Sequence, residues 1–77
     1  MDFAELSGRW RSAVGPDVAA AVVPLGIDDQ GRLRVACHSQ AWRRQVQALE
    51  SVLVVRLNRE LAGLAVTGIV AQERTGP

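Results

Sequence analysis

Cys37 and His38 are the two side chains of this 77-residue sequence best suited to nucleophilic or acid–base work, and they are adjacent. Adjacent residues on a strand point to opposite faces, so a thiol and an imidazole placed this way cannot form a dyad. With one cysteine, one histidine and no tyrosine, the chain holds no other nucleophile–base set. Cys37 reads as a small buried hydrophobe and His38 as an ordinary strand-end residue. The only adjacent acidic pair, Asp28-Asp29, sits beside turn formers and reads as a solvated hairpin in preference to a metal site. The glycines match neither the dinucleotide nor the Walker spacing. No catalytic residue, cofactor, metal or small-molecule substrate is expected.

What remains is recognition. All nine basic residues are arginine, and the planar guanidinium forks onto carboxylates and phosphates where an ammonium cannot. Six of the nine, Arg32, Arg34, Arg43, Arg44, Arg56 and Arg59, fall within residues 32–59 against Glu50 alone, a net +5 in a chain whose total is +1. They are the candidate contacts to a protein partner or a nucleic acid. A solvated polar face is the competing reading of each patch.

Elements must position these side chains. Residues 2–14 predict a helix, because Phe3, Leu6, Trp10, Ala13 and Val14 recur at spacings of three or four. Gly15-Pro16 ends it, and a short second helix runs to Ala21. Residues 22–28 alternate as a strand, with Val23, Leu25 and Ile27 on one face. Pro24 cannot donate a ladder hydrogen bond, so the strand is expected at a sheet edge or with the missing donor of Pro24 turned outward. Residues 28–31 form a hairpin turn closed by Gly31, and residues 32–38 form a second strand with Leu33, Val35 and Cys37 inward and Arg32, Arg34, Ala36 and His38 outward. Ser39 is the N-cap of a long helix over 40–62, and its stripe of Trp42, Val46, Leu49, Leu53, Leu57 and Leu61 faces the sheet. Ala41, Ala48, Val52 and Val55 make a second apolar strip, expected to lie under the first helix in preference to forming a partner-binding groove. Asn58 is placed to cap or bridge locally. Gly63 ends the long helix, and residues 66–72 form a third strand. The prediction is an α+β two-layer sandwich of three strands with helices on one face, a single domain over 1–72 with a polar tail over 73–77.

Hydrophobic residues make up 48% of the chain against 22% charged, a globular balance. A single cysteine excludes a disulfide-stapled secreted scaffold and fits a reducing compartment, the cytoplasm. The acidic start argues against a cleaved signal peptide. The longest apolar run, over 18–25, is broken by Pro24 and is far short of the roughly 20 residues that span a bilayer.

Several segments together resemble a known pattern: Trp10-Arg11-Ser12-Ala13-Val14-Gly15-Pro16-Asp17-Val18-Ala19, Pro24-Leu25, Gly31-Arg32-Leu33-Arg34-Val35, Ser39-Gln40-Ala41-Trp42, Leu57-Asn58-Arg59-Glu60-Leu61 and residues 66–70. This sequence resembles the DciA family, bacterial proteins that act with the replicative helicase DnaB during its loading at replication origins. The resemblance implies a KH-like fold, a non-catalytic role, the helicase as partner with DNA contacts through arginines, and a bacterial cytoplasmic location that can include the nucleoid. Trp10, Gly15, Gly31, Ser39, Trp42 and Gly63 take structural roles. The Gly-x-x-Gly loop with which a nucleic-acid-binding KH domain grips the backbone does not occur. Any nucleic-acid contact is therefore expected to be electrostatic.

Overall fold

The computed structural model describes residues 3–61, 63 and 65–73. In chain order the elements are α1 (Phe3–Gly8), α2 (Trp10–Val14), α3 (Pro16–Ala21), β1 (Val22–Ile27), β2 (Arg32–Cys37), α4 (Gln40–Ala48), α5 (Glu50–Glu60) and β3 (Gly68–Glu73). The sheet order is β1-β2-β3, antiparallel between β1 and β2 and parallel between β2 and β3. This is the predicted α+β, KH-like sandwich.

The strand β2 sets the layers. Leu33, Val35 and Cys37 are completely buried, while Arg32 and Arg34 are exposed. The inward residues share one core with Leu6, Trp10 and Val14 of the first helices and with Val46, Leu53 and Leu57 of α4 and α5. All helices therefore cover the same face of the sheet, and the other face is open. Ala36 is buried although it belongs to the open face. As an edge strand β1 tolerates Pro24, and a bulge between Pro24 and Gly26 interrupts its register. Val23, Leu25 and Ile27 are all exposed.

Both predicted long helices are bent. The first divides at Arg9 (φ −108°, ψ 7°), one residue after Gly8, whose missing Cβ weakens the helical preference there. Asp2, expected to start that helix, and Ala62, expected to end the long one, lie outside the described residues. The second divides at Leu49 (φ −97°, ψ 8°), whose N–H reaches the carbonyls of both Gln45 (3.0 Å) and Val46 (3.1 Å). No glycine or proline marks that point. The bend lets α4 lie against β2 and β3 while α5 lies against β3 and α2. Ser39 caps α4 as expected, its Oγ accepting from the Trp42 N–H at 3.2 Å. The last strand begins at Gly68 and reaches Glu73, one residue into the stretch expected as tail.

Polar side chains hold the connections. The Trp10 indole N–H donates to the Val22 carbonyl at 2.8 Å, tying α2 to the start of β1. The Asn58 amide donates to the Val66 carbonyl (3.1 Å) and accepts from the Val66 N–H (2.9 Å), so α5 clamps the segment that leads into β3. Glu50 accepts from the Ile69 N–H at 2.8 Å. In the hairpin, Asp28 accepts from the backbone N–H groups of Gln30 and Arg32 and from Arg32 Nε, each at 2.9 Å. Gly31 has φ 81°, and a Cβ there would meet Thr67 Cγ2 at 3.3 Å. The Thr67 N–H in turn donates to the Gly31 carbonyl at 3.0 Å, which staples the hairpin to the start of β3.

Two outcomes follow for stability. Replacing Asn58 with Ala removes both clamp bonds and leaves the Val66 N–H without its partner, and we expect a loss of about 2 kcal/mol in urea unfolding. The Arg32 backbone N–H holds the Asp28 carboxyl below its ordinary value against the opposing effect of desolvation, with further help from the Gln30 N–H and the Arg32 guanidinium. A depressed folded value means that the stabilisation is full above the unfolded carboxylate value of about 4 and vanishes as pH falls through the lower folded value. Unfolding of the parent and Asp28→Ala chains should differ at pH 7, and the difference should begin to shrink only below about pH 4 and close as pH falls through the lower folded value.

Candidate functional site

The six arginines of the basic segment do not converge. Arg32 and Arg34 project from the open face of the sheet, Arg56 and Arg59 from the outer side of the helical layer, and the two sets are separated by the thickness of the sandwich. Arg32 is held by Asp28 at 2.9 Å. Arg34 Nη2 donates to Gln72 Oε1 at 3.3 Å across to β3. Val23 and Val70, exposed on β1 and β3, give the sheet a mixed apolar and basic surface.

On the helices the arginines divide again. Arg43 is half-buried, and its Nε is shut away from solvent without a hydrogen-bond partner. It lies close enough to Cys37 to favour the thiolate, but burial pushes the thiol the other way and prevails, so Cys37 stays protonated and inert. His38 is exposed beyond the end of β2 while Cys37 is buried, which separates the two side chains as alternation requires. Arg44, Arg56 and Arg59 are exposed and have no acidic partner among the described residues. The two glutamates of α5 are engaged elsewhere: Glu50 on Ile69, and Glu60 with its Oε1 accepting from Ser12 Oγ at 3.0 Å.

The second apolar strip is not covered, contrary to the expectation. Ala41, Ala48, Val52 and Val55 are exposed, with Val52 at 52% and Val55 at 55%. The reason is where α2 docks. Ser12 and Arg9 reach Glu60 at the last turn of α5, which leaves the middle of that helix bare. Trp10 is core as predicted, whereas Trp42 is half-buried and lines a cavity of about 260 Å³ with Ala41 and Gln45. Gly15 (φ 93°) and Gly63 (φ 96°) occupy the left-handed region their turns require. Among the described residues no three metal-ligating side chains cluster, and no helix is long and apolar enough to cross a membrane.

Sequence reasoning found the arginines but missed Thr67 and Glu50, which act through backbone contacts that no spacing announces. It named Val52 and Val55 and assigned them the wrong environment.

Comparison with known proteins bears on what these surfaces serve. The family model described as "Dna[CI] antecedent, DciA" matches residues 1–71. A UPF0232 protein of Streptomyces avermitilis is 41% identical over 71 residues, covering 91% of this chain and 39% of that protein. A UPF0232 protein of Streptomyces coelicolor is 46% identical over 55 residues, 70% of this chain and 29% of the relative. One of Rhodococcus jostii is 37% identical over 71 residues, 91% and 35% respectively. The chain thus spans two fifths or less of the length of these relatives. With the match running from the first helix into β3, the chain belongs to the DciA family.

Proposed function

We propose that this chain is a non-catalytic interaction module that binds a DnaB-type replicative helicase and assists its placement on DNA when replication begins. Membership of the DciA family over residues 1–71 carries the reading. The site chemistry supports it: the described residues offer no nucleophile–base pair, while Arg44, Arg56 and Arg59 stand on the helical layer without acidic partners. Such guanidinium groups favour encounter with an acidic protein surface more than they add to affinity.

A second reading, an arginine-rich nucleic-acid module, rests on Arg32 and Arg34 of the open sheet face. Both are already engaged, one by Asp28 and the other by Gln72. That engagement favours the helicase reading.

Calorimetry of the 77-residue chain with the hexameric helicase, at two salt concentrations and with single-stranded DNA titrated in parallel, separates them. The helicase reading expects binding at micromolar strength or tighter, and much weaker DNA binding. Arg44→Glu should weaken helicase binding by roughly two- to tenfold with an unchanged melting temperature, as charge reversal at an interface rim does. Charge reversal of Arg43 is a poorer probe because that side chain is half-buried. Binding to DNA alone, weakened by Arg34→Glu and falling with a log–log salt slope of about −1.4 for two phosphates, would replace the helicase reading with the second.

A further inference from the structure

On α5, Val52, Val55, Arg56 and Arg59 stand at positions i, i+3, i+4 and i+7, the spacing that brings four side chains onto one face. All four are exposed. Among the described residues Val52 and Val55 are the two most exposed large hydrophobics, and they sit side by side on one turn of helix. Ala48, the exposed last residue of α4, continues the strip across Leu49. The opposite side of the same helix buries Leu53 and Leu57, so α5 is apolar on two faces, and among the described residues only one of them is covered. A helix needed only to cover a sheet would carry polar residues on its outer face.

We infer that this outer face is a docking ridge that inserts into an apolar groove rimmed by carboxylates on a partner protein. The inference rests on the helicase reading, since it takes the helicase as the protein that supplies the groove. Charge decides what the occupant must be. Arg56 and Arg59 have no acidic partner among the described residues, and Glu50 and Glu60 are turned to Ile69 and Ser12. The ridge therefore presents cation beside hydrocarbon, and its complement is anion beside hydrocarbon. Nucleic acid supplies the anion but offers a phosphate backbone no use for two exposed valines, whereas an apolar groove with acidic edges satisfies both halves. Sited in mid-helix, the valines would be desolvated on docking while the arginines remain at the rim.

The test is binding of the 77-residue chain to the hexameric helicase, with Val52→Ser/Val55→Ser and Arg56→Glu/Arg59→Glu chains in parallel and single-stranded DNA as a second titrant. The ridge predicts that the serine pair binds helicase about tenfold more weakly or worse and leaves DNA binding unchanged, since it removes desolvated contact area and no charge. The glutamate pair should weaken helicase binding as well. Because the four side chains are exposed, both variants should keep the parent melting temperature and far-ultraviolet spectrum. Parent-like helicase binding by the serine pair would overturn the ridge and leave the helicase reading standing. Failure of the parent chain to bind helicase would overturn both. If only the glutamate pair lost affinity, and lost it for DNA as well, the face would be a phosphate surface and the ridge would be wrong.

Discussion

A three-stranded sheet has one strand with neighbours on both sides, and in this chain everything is registered on it. The central strand β2 is antiparallel to one neighbour and parallel to the other, and it presents Leu33, Val35 and Cys37 to a single side. A chain of this size buries only about 60% of its unfolded surface. It can close one side of that sheet and no more. Among the described residues the helices all fall on the Leu33 side, the parallel β3 is reached by a crossover through α4 and α5, and Arg34 on the other side is exposed.

One-sided burial also separates the basic residues. Arg32 and Arg34 alternate with core residues of β2 and so take the open face, while Arg56 and Arg59 alternate with Leu53 and Leu57 around α5 and take the outside of the helical layer. A segment that reads as one block of positive charge becomes two surfaces turned away from each other. Any single partner that does not wrap the domain meets one of them. The sheet arginines are tied to Asp28 and Gln72, so recruiting them costs existing contacts, and the helical arginines are available without that loss.

Much of this was legible in the sequence because the signals were local. The alternation from Leu33 to Cys37, the Gly15-Pro16 break, the Ser39 cap and the edge position of Pro24 each follow from backbone chemistry within a few residues, and the structure shows all of them. What failed to show was tertiary. The bend at Leu49 has no breaking residue and arises where α4 and α5 must meet different elements. The bulge after Pro24 interrupts the pairing of β1 with β2 without any mark in the alternating pattern of the sequence. Asn58 was recognisable as a bridging residue, but its target, Val66, could not be named from spacing.

The error over Val52 and Val55 is the informative one. An apolar strip on a helix of a small domain is ordinarily explained by a second helix over it, and the first helix was the available cover. Helix α2 is only five residues long, and its docking is fixed at two points: the Trp10 indole on the Val22 carbonyl and Ser12 on Glu60. The Glu60 contact lies at the last turn of α5, several residues past Val52, and the Trp10 contact ties α2 to the start of β1. A short helix tied there cannot also reach the middle of α5's outer side. The strip stays in water for reasons set by the hydrogen bonds of a different element. Exposed valine gains nothing from solvent, and two of them beside arginines that have no acidic partner among the described residues have no structural task there. That combination is what directs attention from the charge of the basic segment to the hydrocarbon within it.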